Sequence, residues 1–185
     1  MKRFAAILLT ICLLYSAALA GSATVNVIEW SWFESTVTSQ TEGSFQSIGD
    51  LPCKAWIPAV FEDTEKEPIE MEGISLFLFK RAEIEGGKVI ELTFGKMDSA
   101  AYPKDKILQA MESTDYLSDF TPMIINGYDA LRYKTAPENT TGFGMVYWLE
   151  DGTVLVIEAD SDGDTFDESS EALFNYISFS VQPKS

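Results

Sequence analysis

The stretch from residue 123 to 181 constrains the fold more than any other. It alternates apolar and polar residues, turns at Asn126-Gly127, and alternates again through Tyr133. Asn and Gly tolerate the positive φ of a tight hairpin turn. A second hairpin is expected over 143–149 and 153–159, around Glu150-Asp151-Gly152. Met145, Tyr147 and Leu149 share one side of it, and Val146 and Trp148 the other. In the returning arm Val154, Val156 and Glu158 alternate with Leu155, Ile157 and Ala159. A helix is expected over 166–176, with Asp164 or Thr165 as N-cap and Asp167 and Glu168 favourable in its first turn. Hairpins closed by a helix define an antiparallel sheet with one face covered.

The preceding chain reads as more of the same sheet. Residues 24–28 are β-branched and alternating, which predicts a strand. Residues 29–34 either continue it or open a short helix through Thr38. Alternation would set Trp30 and Trp32 on one face, either as an exposed aromatic platform for sugar or peptide or packed onto the core. Residues 44–48 and 53–57 read as strands, the latter ended by Pro58. Residues 59–72, with six acidic side chains and Pro68, read as a solvated loop. Residues 73–81 and 88–97 form a hairpin across Glu85-Gly86-Gly87. Its first arm is apolar on both sides, Ile74, Leu76 and Leu78 against Phe77 and Phe79, and is expected to be central and covered on both faces. A helix over 102–112 presents Ile107, Leu108 and Met111 as one stripe. Residues 119–125 are extended, and Thr121-Pro122 points to an edge position.

Residues 1–20 carry Lys2 and Arg3, an apolar run over 4–14, and the small residues Ala18-Leu19-Ala20. That is the pattern of a cleaved signal peptide. The apolar core is about eleven residues, short of the roughly 20 a spanning helix needs, and no later segment has eighteen apolar residues in a row. The expected organisation is therefore a signal peptide over 1–20 and one α+β domain over 21–185, secreted or extracytoplasmic.

Composition narrows function by exclusion. The chain has no histidine, which removes Ser-His-Asp and Cys-His catalysis and imidazole metal sites. Its two cysteines are Cys12, within the leader, and Cys53, so no internal disulfide is expected and Cys53 reads as a buried thiol. Removing Lys2 and Arg3 from 13 basic residues leaves eleven against 29 acids, a net charge of −18. Such a surface repels phosphate backbones and anionic lipid, which argues against nucleic-acid partners. It is compatible with solubility, cation binding or a basic partner. Asn139-Thr140-Thr141 is a formal glycosylation sequon.

One constellation has metal-site spacing. Asp160, Asp162, Asp164 and Glu171 fall at positions 1, 3, 5 and 12 of a calcium-loop count. The required Gly at position 6 is Thr165, its glycine comes one place early at Gly163, and a strand rather than a helix leads in. The preferred reading of the same residues is an Asp/Gly loop that caps the closing helix, with no cofactor; calcium is the alternative.

The leader, the run from Leu51 through Cys53 and Trp56 to Pro58, the turn Ile125-Asn126-Gly127-Tyr128-Asp129-Ala130, and the closing Tyr176-Ile177-Ser178-Phe179-Ser180 together resemble small exported bacterial proteins of the PsbP/Mog-type fold. The resemblance implies a central, mainly antiparallel sheet with helices on both faces and a non-enzymatic binding or assembly role. It carries no catalytic residues onto this chain and implies no manganese or chloride site. The function expected is an acidic binding or interaction module of the cell envelope or extracellular space, for a protein, small-molecule or glycan partner, with Trp30, Trp32 and Tyr128 as candidate contacts. The alternatives are a hydrolase using two carboxylates across a cleft and a weak calcium-binding module.

Overall fold

The computed structural model describes residues 25–71, 73–84, 87–137, 140–162 and 166–184, with the side chains of Met71 and Asp162 excepted. The expected leader, Asn139 of the sequon and Asp164 lie outside the described residues. In chain order the strands are β1 (Asn26–Ile28), β2 (Gly43–Ser47), β3 (Cys53–Pro58), β4 (Glu62–Asp63), β5 (Ile69–Met71), β6 (Ile74–Ile84), β7 (Lys88–Asp98), β8 (Leu117–Ile125), β9 (Tyr128–Thr135), β10 (Thr140–Trp148), β11 (Thr153–Asp162) and β12 (Gln182–Pro183). The helices are α1 (Glu34–Gln40), α2 (Lys104–Glu112) and α3 (Glu168–Phe179), with a 3-10 turn at Trp30–Trp32.

The fold is α+β. Among the described residues nine strands make the large sheet, in the order β1-β8-β9-β10-β11-β7-β6-β4, with β5 also paired to β6. All its pairings are antiparallel except β1 with β8. A second sheet, β12-β3-β2, is antiparallel too. The Asn126-Gly127 turn forms as its residue types predict, with φ of 49° and 86°.

Alternation then sorts the core. The inner face of the large sheet presents Leu92, Phe94, Met145, Tyr147, Leu155 and Ile157. Phe174 and Ile177 of α3 and Cys53, Ala55 and Ile57 of β3 close over it in one buried cluster. Each fully buried large side chain there contributes about 1.5–3 kcal/mol. The outer face carries α2, whose Ile107 packs on Leu131, Tyr133, Val146 and Val154. A third cluster joins Trp30, Val37, Trp56, Ala172 and Tyr176. No helix among the described residues is long and apolar enough to cross a membrane.

Three local expectations change and one is refined. The acidic stretch read as a loop contains β4 and β5, because the eleven-residue β6 offers backbone groups that need partners. Lys80, only 4% exposed, is bonded there to Asp63 at 2.6 Å. Strand β6 is next to the edge rather than central, and a register shift between Leu76 and Leu78 sends those two side chains to opposite faces: Leu76 pairs with Gly95, Leu78 with Phe94. Strand β8 is at the sheet edge at Thr121-Pro122, as expected, and is covered by β1 only past Pro122, at Met123–Ile125. Helix α3 starts later and runs further than expected. Its N-cap is Asp167, which accepts the Ser170 amide at 2.9 Å, and its buried last turn includes Ile177 and Phe179, beyond the expected end at 176.

Candidate functional site

The three candidate aromatic contacts do not form a platform. Residues 30–32 adopt a 3-10 turn, not a strand, so side chains two apart diverge. Trp30 is 4% exposed and packs edge-on against Phe33, with ring centroids 4.9 Å apart, and 6.0 Å from Trp56. Trp32 is 67% exposed. Tyr128 is buried in the main core, its ring 6.5 Å from that of Tyr147. Trp30 and Tyr128 are packing residues, and Trp32 is exposed.

The acidic loop is also divided. Glu171 sits on α3, on the inner side, where its Oε1 accepts from Arg132 at 2.7 Å. The Arg132 guanidinium lies 4.0 Å over the Phe143 ring, itself an inner-face core residue. Asp160 pairs in register with Gly142 and Glu91, one residue out of phase with inner-face Ala159 and Phe143. Its side chain therefore lies on the outer face. Asp160 and Glu171 are on opposite sides of the sheet, where one cation cannot take both. Among the described residues no group of three acidic or thiol side chains is placed to hold a metal ion.

What the outer face does assemble is a polar patch beyond the end of α2. Strand registers align two rows across it: Arg81, Glu91, Asp160, Gly142, Thr135, and beside it Phe79, Thr93, Glu158, Gly144, Tyr133. Gly144 lets the Tyr133 ring lie across β10, since a Cβ there would stand 1.9 Å from the ring. The Tyr133 hydroxyl thereby reaches two strands over and donates to Glu158 Oε1 at 2.5 Å. Burial, then the Glu158 charge, pushes the tyrosine well above its ordinary range. Asp160 leans over Gly142 in the same way, and its Oδ1 is buried without a hydrogen-bond partner among the described residues. Burial, then the charges of Glu158 and Glu91, pushes Asp160 up to about 7. Sequence reading placed Glu158 on a sheet face but missed the patch. The available signal was the matching two-residue spacing of Glu158-x-Asp160 and Gly142-x-Gly144 on neighbouring strands.

The clearest concavity is at the turn end of the large sheet. It is a shallow pocket of about 420 Å³. The loop before β3 supplies Asp50 to its wall, β5 supplies Glu70, the start of β6 Ser75, the end of β7 Lys96 and Asp98, and the β10–β11 turn Asp151. Each carboxylate is held by this chain. Lys96 Nζ is 2.9 Å from both Asp50 oxygens, and the Ser75 hydroxyl donates to Glu70 at 2.6 Å. The Ala100 amide donates to Asp98 at 2.8 Å and the Thr153 amide to Asp151 at 2.9 Å. The rim is thus a fixed set of four carboxylates around one lysine.

No protein-family model and no curated protein matches the chain. Among solved structures, cyanobacterial PsbP (CyanoP) from Synechocystis sp. PCC 6803 is similar over 78% of this chain and 94% of its own, with a TM-score of 0.50 and 11% identity. The fold is PsbP-like. LpqN of Mycobacterium tuberculosis, described as involved in cell envelope biogenesis, aligns over 89% of this chain and 100% of its own, with a TM-score of 0.47 and 11% identity. A Bacteroides thetaiotaomicron protein aligns over 72% of this chain and 46% of its own, with a TM-score of 0.37 and 16% identity. At such identities the likeness is one of fold.

Proposed function

We propose that this chain is an exported, acidic, non-catalytic binding module of the cell envelope or extracellular space, and that it binds a basic partner segment through the pocket at the turn end of the large sheet. One observation carries the reading: Asp50, Glu70, Asp98 and Asp151 converge from four separate segments, each oriented by a hydrogen bond or ion pair from its own chain. Carboxylates fixed before binding do not have to be ordered by the ligand. They favour lysine or arginine groups and accelerate encounter with them. The export half of the reading rests on the leader pattern of residues 1–20.

A carboxylate-pair hydrolase is the competing reading, and Glu158 and Asp160 are the residues it would use. Tyr133 lies over Gly144 and its hydroxyl engages Glu158, so the ring occupies space that a substrate and attacking water would need. Binding is therefore the preferred reading.

The test is titration calorimetry with a lysine/arginine-rich peptide and with its acidic counterpart, on wild type and on Asp98→Asn/Asp151→Asn. Selective binding of the basic peptide, weakened about tenfold by the double substitution and by added salt, supports the reading. Equal binding of both peptides, or indifference to the substitutions, overturns it.

A further inference from the structure

The patch on the outer face combines three carboxylates in adjacent strand positions with a buried oxygen that has no partner among the described residues. Glu91 of β7 stands opposite Asp160 of β11 in register, and Glu158 lies two residues back on the same face. The other groups facing this cluster are unevenly shared. Tyr133 of β9 donates to Glu158. Lys66, from the segment before β5, bonds Glu91 at 2.6 Å, and Arg81 of β6 stands opposite Glu91. Tyr116, before β8, is near enough to act on Tyr133 electrostatically. The hydrogen bonds and the ion pair thus serve Glu158 and Glu91, while Asp160 Oδ1 is left buried over Gly142 with no donor among the described residues.

We propose that Glu91, Glu158 and Asp160 form a proton-operated latch on the far end of the β10–β11 pair: closed with one proton on Asp160, loosened when all three are charged. The chemistry is a single proton equilibrium. A protonated Asp160 is neutral, which removes both its repulsion from the flanking carboxylates and the cost of holding a charge over Gly142. Opening the strand end returns Asp160 to water, where a carboxyl titrates at about 4. Between about pH 4 and the 7 set by the folded environment, the closed form holds a proton that the open form releases. Closure is thus favoured at the acid end of that window and weakens as pH rises through 7. What the latch holds is the pairing of residues 140–143 with 159–162, the last stretch of sheet before the chain turns towards α3.

Two measurements decide it. A carboxyl-carbon NMR titration of the protein follows Asp160 directly. Hydrogen exchange at pH 5.5 and 8, corrected for intrinsic exchange chemistry, follows the amides of 140–143 and 159–162 in wild type and in Asp160→Asn. The latch predicts an Asp160 midpoint near 7. It also predicts protection that falls between pH 5.5 and that midpoint by at most about tenfold per pH unit and levels off above it, with no such fall in Asp160→Asn. A midpoint below 5, or an equal loss of protection in both proteins, overturns it. Were Asp160→Asn to misfold, the wild-type titration alone would decide between a midpoint near 7 and one below 5.

Discussion

The Trp30 amide donates to the Asn126 side-chain oxygen at 2.7 Å, joining residues 96 positions apart. The same Asn126 amide group donates to the carbonyls of Phe179 and Val181 at 2.9 and 2.7 Å. One turn residue therefore ties the exit of β1 to the end of α3. Asn126→Ala should lose all three bonds and strand partly buried backbone groups, costing about 2–4 kcal/mol by denaturant unfolding. Asn126→Asp, which keeps the acceptor but not the two donor contacts, should also be destabilised. A loss below about 1 kcal/mol for the alanine variant would show that the three bonds do not act together.

Gly144 is the condition for the Tyr133–Glu158 bond. Gly144→Ala places a methyl within 1.9 Å of the tyrosine ring. Overpacking of this kind costs about 1–3 kcal/mol. Pairing it with Tyr133→Ala should recover part of that loss, since the smaller side chain no longer lies over residue 144. A double-mutant cycle measures the recovery, and strictly additive losses would contradict the contact.

The Cys53 thiol is wholly buried in the main core. Burial pushes it up to about 11, so the reactive thiolate is scarce near neutral pH. In protein lacking residues 1–20, and so Cys12, a colorimetric thiol reagent at pH 8 should label native protein only at the rate of unfolding, and label denatured protein at once. Rapid native labelling would mean that β3 opens locally.

Asp167 predicts an acid limb in the stability profile. Burial alone would raise its carboxyl, but the Ser170 amide, Lys88 and the Ser169 and Ser170 hydroxyls outweigh that and hold it well below the usual range. A depressed carboxyl contributes stability that is present above its unfolded value of about 4 and is lost as pH falls below that. Asp167→Ala should cost about 1 kcal/mol at pH 7, the usual worth of an N-cap, and the difference from wild type should shrink towards pH 2. Thermal melts across that range read both.

Calcium should not stabilise the protein. Asp160 and Glu171 lie on opposite sides of the sheet, and Glu171 already accepts from Arg132. The melting temperature in millimolar calcium should match that in chelator. A rise that grows with calcium concentration would restore the loop as a site.

The parts of this fold that announce themselves in the sequence are those whose chemistry is local. Asn126-Gly127 forms its turn because those two residues accept positive φ. Alternation correctly assigns Met145 and Tyr147 to one face and Val146 to the other. Features set by distant partners are not legible. Strands β4 and β5 exist because β6 has an edge to fill, and nothing in their own acidic sequence says so. Trp30 and Trp32 are separated by a 3-10 turn that no alternation rule distinguishes from a strand. The bulge between Leu76 and Leu78 reverses a face assignment that would be right for an unbroken strand. The polar patch needs the register of four strands before Tyr133, Glu158, Asp160 and Glu91 can be seen as neighbours.

The parallel pairing of β1 with β8 has a bearing on how the chain folds. Asn26 waits for Met123, and Ile28 for Ile125, so the first strand made is a partner for one that emerges about a hundred residues later. The loop closed by that contact is the kind whose entropy slows folding. Asn126, which then clasps both Trp30 and the end of α3, can complete its bonds only when nearly the whole chain is available. The hairpins between them can pair as they emerge, so what closes last is the seam where β1, the Asn126 turn and the end of α3 meet.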